Sequence, residues 1–344
     1  MITVLIVDDS PLIRGLLTEI LNQAPDIKVV GAAADPYQAR EMIKSLHPDV
    51  LTLDIEMPRM DGISFLRNLM RLRPMPVVMI STLTQQGSPA TLEALEIGAV
   101  DFIAKPAANV VSQLKSYTQA VHEKIRIAAH ARVRSYKVQA SHTDSPKSHN
   151  MRMQFRSDAI LAIGASTGGT EAIKEVLVRL PVNSPPVVVT QHIPPIFSTS
   201  FALRMDRCCS VKVKEAETGD QLMAGHVFIA PGDKHLKVVK KSGKLLCELE
   251  DTEPVNRHKP AVDVLFDSLV PLGKSVYAAL LTGMGSDGAK GMLRLSQAGA
   301  FTVAQDEATS VVWGMPKAAV ELNAVKSIVP LHEITHALLN ACKK

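Results

Sequence analysis

Apolar residues along this chain fall into short continuous runs separated by helical stripes. Ile2 to Val7 is apolar or β-branched throughout, the pattern of a strand buried on both faces. Ser10 and Pro11 then predict an N-cap and a first-turn proline. Leu12, Ile13, Leu16, Leu17 and Ile20 make the apolar stripe of the helix behind them. The alternation repeats, with strands over about 28–32, 49–53, 77–80 and 101–104. Helices are predicted over about 36–46, around Ile63–Met70, over about 90–97 and from Asn109 onward. Five such repeats predict a doubly wound parallel sheet, whose ligand site belongs at the carboxyl ends of its strands.

From about 131 to 156 no apolar period is sustained, and six Lys/Arg face one acidic residue, Asp144. This reads as a solvated linker. The α/β pattern resumes at Asp158. A short strand (160–163) meets a helix carrying Ala172, Ile173, Val176, Leu177 and Leu180. Further strands are predicted over 186–191, 226–230, 276–281 and 301–304, and a hairpin over 236–240 and 245–250 across Ser242-Gly243. A helix near Pro260 and two C-terminal helices complete the pattern. The expected fold class is α/β, with two doubly wound parallel-sheet domains. The first, residues 1–125, is five-stranded and flavodoxin-like. A flexible basic linker spans 126–157. The second, 158–344, is a larger Rossmann-like α/β domain with a β-hairpin.

Composition narrows the function classes. The 344 residues are 46% hydrophobic, enough for each half to bury a core. A net charge of +4 is small for this length and does not argue for nucleic acid. Cys208, Cys209, Cys247 and Cys342 form no metal-ligand grouping, and reduced, mostly buried thiols fit a cytoplasmic protein. The N-terminus reaches Asp8 and Asp9 at once and so is a first strand rather than a secretion signal. No apolar run approaches the roughly 18 residues of a membrane span, and no direct membrane insertion is expected. The chain is expected to be a monomer.

Chemistry collects at the predicted strand ends. Asp8 and Asp9 follow the first strand, Asp54 the third with Glu56 just beyond, Ser81 the fourth, and Lys105-Pro106 the fifth. Two carboxylates about 4 Å apart repel by roughly 4 kcal/mol at a surface-like dielectric. A cation must relieve that, and all-oxygen ligands favour Mg²⁺ over Zn²⁺. An aspartate held beside Mg²⁺, a lysine and a hydroxyl can accept a phosphoryl group. The set Asp-Asp, Asp-x-x-Met-Pro-x-Met-Asp-Gly, Ser and Lys-Pro resembles the receiver domain of bacterial response regulators. The resemblance implies that a histidine kinase phosphorylates Asp54. It also implies that Asp9, Asp54 and the backbone carbonyl of Glu56 ligate Mg²⁺, with Asp8 in the outer shell. Phe102 stands where that family carries a switch aromatic.

In the second half, Ser166 lies between Gly164 and Gly168, the G-x-S-x-G pattern of a serine presented on a strand-to-helix turn. His192 and Asp287 fall at two other strand ends. A general base and a carboxylate that orients it are what a serine nucleophile needs. The order Ser, His, Asp differs from those of chymotrypsin, subtilisin and the α/β-hydrolases. His258, His235 and Asp263 are competing partners that the sequence leaves open. GASTGG, QHIPP, NRHKPAVDVLF and TGMGSDG, behind a receiver, resemble the CheB family of chemotaxis receptor methylesterases. That family implies hydrolysis of glutamate γ-methyl esters, with release of methanol, and deamidation of glutamines on methyl-accepting receptors. Esterase chemistry of this kind needs no cofactor. The backbone N–H groups of Met284 and Thr167 are candidate oxyanion donors. Phosphorylation is expected to relieve inhibition by a receiver that covers the esterase site. The alternatives are a nucleic-acid-binding output domain and a nucleotide cradle at GASTGG. No helix-turn-helix pattern, basic face or G-x-x-x-x-G-K-[ST] supports them.

Overall fold

Alternating strand and helix signals resolve into two units, Met1–Gln139 and Ala140–Lys344. The structure, a computed structural model, describes residues 1–81, 88–105, 114–133 and 154–344. Pro106, the helix start predicted near Asn109 and most of the linker therefore lie outside the described residues.

The first unit has strands β1 (Ile2–Val7), β2 (Ile27–Ala33), β3 (Val50–Asp54), β4 (Val77–Ser81) and β5 (Asp101–Ala104). Helices α1 (Pro11–Asn22), α2 (Pro36–Leu46), α3 (Gly62–Leu72), α4 (Ser88–Ile97) and α5 (Leu114–Ala129) alternate with them. The sheet order is β2-β1-β3-β4-β5, parallel throughout. Side-chain caps set three helix starts. Ser10 accepts from the Ile13 N–H, Asp35 from Tyr37 and Gln38, and Asp61 from Ser64. One predicted core position fails, because Leu12 is 78% exposed and Leu17, Ile20 and Leu21 carry the buried stripe of α1. Leu12 sits in the first turn of the helix, one residue after Pro11.

The second unit has strands β6 (Ile160–Ala165), β7 (Val187–Gln191), β8 (Lys212–Glu215), β9 (His226–Ile229), β10 (His235–Lys241), β11 (Lys244–Glu250), β12 (Val276–Leu280), β13 (Phe301–Gln305) and β14 (Ser327–Val329). Its helices are α6 (Gly169–Leu177), α7 (Pro195–Cys208), α8 (Val262–Leu269), α9 (Ala289–Gln297), α10 (Met315–Glu321) and α11 (Leu331–Ala341). Seven strands form one parallel sheet in the order β14-β13-β12-β6-β7-β9-β8. β10 and β11 pair antiparallel as the expected hairpin, with Ser242 and Gly243 both at positive φ. Strands β8 and β14 are absent from the sequence reading. They are edge strands of four and three residues, too short to show a period.

Val262, Leu265, Phe266 and Leu269 of α8 pack with Met292 and Leu295 of α9 and with Leu236 and Val238 of β10. This core seats the N-terminus of α8 against the sheet. The chain also joins this unit earlier than the sequence suggests. Gln154 accepts from the Lys344 N–H at 2.9 Å, and the Arg156 N–H donates to Cys342 at 3.0 Å. In the first unit α5 continues to Ala129, past the predicted start of the linker. Among the described residues no helix is long and apolar enough to cross a membrane.

Candidate active site

Adjacent strands β12, β6 and β7 bring Ser166, His192 and Asp287 together. Ala165 pairs with Gln191 at the ends of β6 and β7, so Ser166 and His192 leave the sheet side by side. The His192 N–H donates to the Ala165 carbonyl, and the Ser166 N–H to Thr282 beyond β12. The turn is made without strain at the serine. The left-handed residue is Gly168, φ 74°, where a Cβ would lie 2.7 Å from the Cβ of Val311.

Ser166 Oγ is 3.1 Å from His192 Nδ1, and His192 Nε2 is 2.8 Å from Asp287 Oδ2. The imidazole is therefore turned end for end relative to chymotrypsin, where Nε2 faces the serine. An Nε2–H donated to Asp287 leaves the Nδ1 lone pair for the Ser166 hydroxyl. The three residues meet at bonding distance, the arrangement that a serine nucleophile with a base and an orienting carboxylate would need.

Asp287, only 2% exposed, has donors on every side. Besides His192, the backbone N–H groups of Val262 (2.6 Å) and Asp263 (3.2 Å) point at its oxygens. They are the first amides of α8, which has no side-chain cap of its own, so Asp287 caps that helix from another element. Asn256 Nδ2 adds a fourth donor at 2.7 Å. Burial opposes the charge, yet His192, Asn256 and the Val262 N–H outweigh it and hold the carboxyl below its usual range. Gly164 allows the close approach, since a Cβ there would lie 2.3 Å from Val262 Cγ1.

The candidate oxyanion donors flank the nucleophile. A Cβ on Gly283 would be 2.7 Å from Ser166 Cβ, so only glycine lets the 282–285 loop press against the serine. Among the described residues none accepts from the N–H of Met284 or Thr167. Unpaired N–H groups beside the nucleophile are what a developing oxyanion needs.

The competing partners have other places. His235 is fully buried, accepts from the Ala261 N–H at Nδ1 and faces the Glu253 carbonyl with Nε2, so it pins a loop. His258 stacks on His192, ring centroids 3.6 Å apart. The Asp263 carboxylate meets Asp287 through Asn256, while its backbone N–H bonds Asp287 directly. Sequence reasoning missed Asn256, and also Gln191, whose amide donates to the carbonyls of Ser166 (2.9 Å) and His192 (3.1 Å). Asn256 could be read as a turn residue, but nothing in the sequence joined that turn to Asp287.

In the first unit, ligand oxygens of Asp8, Asp9 and Asp54 lie within 4.8 Å of one another. Asp8 and Asp54 are buried and Asp9 is exposed. Lys105 Nζ is 2.6 Å from Asp54 Oδ2 and 3.5 Å from Asp8 Oδ2, the latter oxygen buried without a hydrogen bond. Burial pushes Asp54 up to about 6; Lys105 opposes this, and the Asp8 charge reinforces it. One lysine does not balance three carboxylates, and the all-oxygen donor set fits Mg²⁺. The Glu56 N–H donates to Asp54 Oδ1 at 3.3 Å, which brings its backbone to the cluster while its side chain stays exposed. Ser81 Oγ is 2.9 Å from Thr91 Oγ1 on α4. Phe102 is half-buried, with Lys124 Nζ 5.2 Å from its ring centroid.

Residues 4–115 match the family model of the response regulator receiver domain, and residues 161–338 that of the CheB methylesterase. A Nitrosomonas europaea protein named protein-glutamate methylesterase/protein-glutamine glutaminase is 52% identical, with 98% of this chain and 96% of that protein aligned. One of the same name, numbered 2, from Saccharophagus degradans is 54% identical over 100% of this chain and 99% of its own length. The crystal structure of the Thermotoga maritima CheB methylesterase catalytic domain matches 54% of this chain and 99% of its own, at 38% identity and a TM-score of 0.52. A nucleic-acid- or nucleotide-binding output domain is therefore set aside, since the residues it would occupy match a methylesterase. The chain belongs to the CheB methylesterase family, with a response regulator receiver domain ahead of its catalytic domain.

Proposed function

We propose that this chain removes methyl groups from glutamate γ-methyl esters on methyl-accepting chemotaxis receptors and deamidates receptor glutamines, using Ser166, His192 and Asp287. The hydrogen-bonded row from Ser166 Oγ through the His192 ring to Asp287 Oδ2 carries this reading. As Ser166 Oγ attacks the γ-carbonyl carbon, its proton passes to His192 Nδ1. Asp287 stabilises the imidazolium through Nε2–H. The carbonyl oxygen gains negative charge and takes hydrogen bonds from the N–H groups of Met284 and Thr167. Collapse of this intermediate breaks the C–O bond of the ester, or the C–N bond of a glutamine amide, and His192 returns the proton to the leaving atom so that methanol or ammonia departs. Water, deprotonated by His192, then attacks the acyl-serine, freeing the glutamate carboxylate and restoring Ser166.

The receiver (1–125) controls the catalytic domain (158–344) across the basic connecting segment. A chemotaxis histidine kinase phosphorylates Asp54, and this relieves inhibition of the esterase. Asp9, Asp54 and the Glu56 carbonyl would hold Mg²⁺, with Asp8 behind them, and the ion would neutralise charge on the transferring phosphoryl group. Lys105 holds Asp54 in position and faces the incoming anion. Ser81 and Phe102 are the groups placed to respond to phosphorylation. The protein acts as a cytoplasmic monomer.

Methanol release from methylated receptor, with and without a small-molecule phosphodonor, tests this. Ser166→Ala should lose all turnover, and Asp54→Asn should lose only the stimulation. Retained turnover in Ser166→Ala would overturn the serine hydrolase reading. A fragment of residues 158–344 no faster than the unphosphorylated full chain would overturn the inhibitory role of the receiver.

A further inference from the structure

The segment between β11 and α8 makes a tight turn at Val255–His258. The Val255 N–H donates to the His258 carbonyl at 3.0 Å, and the His258 N–H to the Val255 carbonyl at 2.9 Å. Both central residues are left-handed, Asn256 at φ 53° and Arg257 at φ 69°. This is the geometry of a type I′ turn, in which asparagine is at home and arginine is not. His235 holds the flanks of the turn, through the Glu253 carbonyl on one side and the Ala261 N–H on the other.

The turn, exposed to solvent at Asn256, aims that side chain at Asp287. Asn256 Nδ2 is 2.7 Å from Asp287 Oδ1 and 2.8 Å from Asp263 Oδ2, so its two amide protons bridge two buried carboxylates. Asp263 is anchored in turn by the Gly291 N–H at 2.6 Å. We propose that Asn256 is a positioning residue: its amide ties Asp287 Oδ1 to the fixed Asp263 carboxylate and so locks Oδ2 onto His192. This rests on the serine hydrolase reading and extends it by one residue.

The physical need is specific. Among the described residues, Asp287 Oδ1 otherwise accepts only from the Asp263 N–H, at 3.2 Å. Without the amide, the Asp287 and Asp263 carboxylates would lose the donor they share, and rotation of Asp287 would relieve their repulsion at the cost of its bond to His192. The ionisable groups around Asn256 are His192 beyond β7, His258 in the same turn, Asp263 on α8 and, one layer out, the Asp267–Arg294 pair between α8 and α9.

Asn256→Gly keeps the left-handed turn and deletes the amide. Asn256→Asp keeps the shape and replaces donors with an acceptor. In the full-length protein, methanol release should show kcat about tenfold lower for Asn256→Gly with KM unchanged. Asn256→Asp should be worse at pH 8, and its rate relative to wild type should rise toward pH 6, because a protonated carboxyl can donate again. A passive turn residue would give a ratio that does not change with pH. Wild-type kcat in Asn256→Gly, or a flat ratio for Asn256→Asp, would overturn the proposal. Ser166→Ala, measured alongside, reports separately on the hydrolase reading, since its retained turnover would sink that reading whatever the Asn256 variants do.

Discussion

Each unit of this chain buries an aspartate at the carboxyl end of its sheet, and the two are treated in opposite ways. Asp287 receives four donors within hydrogen-bonding range and stays charged at its ease. Asp54 shares one lysine with Asp8 and is pushed up to about 6 by burial, with the Asp8 charge adding to the push. A group that orients a base through every turnover must hold one charge state, and a full shell of donors does that. A group that accepts and loses a phosphoryl group must be able to change its charge. An under-neutralised shell leaves it ready for a cation and an incoming electrophile.

The sharpest way to break this contrast is Asp287→Asn. An amide there would donate to His192 Nε2, force the proton onto Nδ1 and leave the ring unable to accept from Ser166. Turnover should fall by about 10⁴-fold, the cost of a mis-set tautomer in serine proteases; a loss below tenfold in methanol release would deny Asp287 its role.

Gly164→Ala attacks the shell rather than the group. A Cβ 2.3 Å from Val262 Cγ1 forces the start of α8 outward, taking its amides away from Asp287. Overpacking of this kind costs about 1–3 kcal/mol, visible as a lower Tm together with a lower kcat. An unchanged kcat at lower Tm would show that the cap on Asp287 does not matter to catalysis.

For the receiver the expected sign is reversed. In chelator, Asp54→Asn should stabilise it by about 1–3 kcal/mol, the order of a two-unit carboxyl shift. The readout is stronger amide hydrogen-exchange protection of β3 and β4 in the full chain. Mg²⁺ should then protect wild type and leave the variant unchanged.

The smallest effect is on pH. Asp54 has a folded value of about 6 against 3.8 for the free group, so the folded receiver binds the extra proton. In chelator, protection of β3 and β4 should fall as pH rises between about 4 and 6 and level off above. Asp158 in the catalytic unit is lowered to about 2 by Arg156 and Ser275, so its contribution is present above about 4 and lost as pH falls toward 2. Equal pH trends in the two units would contradict the contrast.

Much of both sites was legible because strand-end chemistry follows apolar runs. Asp54 and Ser81 were marked by mostly apolar strands running into polar residues, and Ser166 by its glycines. Edge strands β8 and β14 were not legible, being too short to carry a period. Asn256 was not legible because its partners are seven and thirty-one residues away, and no local pattern encodes such a contact.

The sequence by itself determined two parallel α/β units, the residue types at each strand end and the two kinds of chemistry. Tertiary structure alone decided that β12 lies beside β6, which brings Asp287 to His192 across ninety-five residues of chain. It also decided which way the imidazole faces and which of three histidines lies against Ser166. The reason is that periodicity reports which face of an element is buried, whereas strand order and side-chain bonding depend on how the whole core packs.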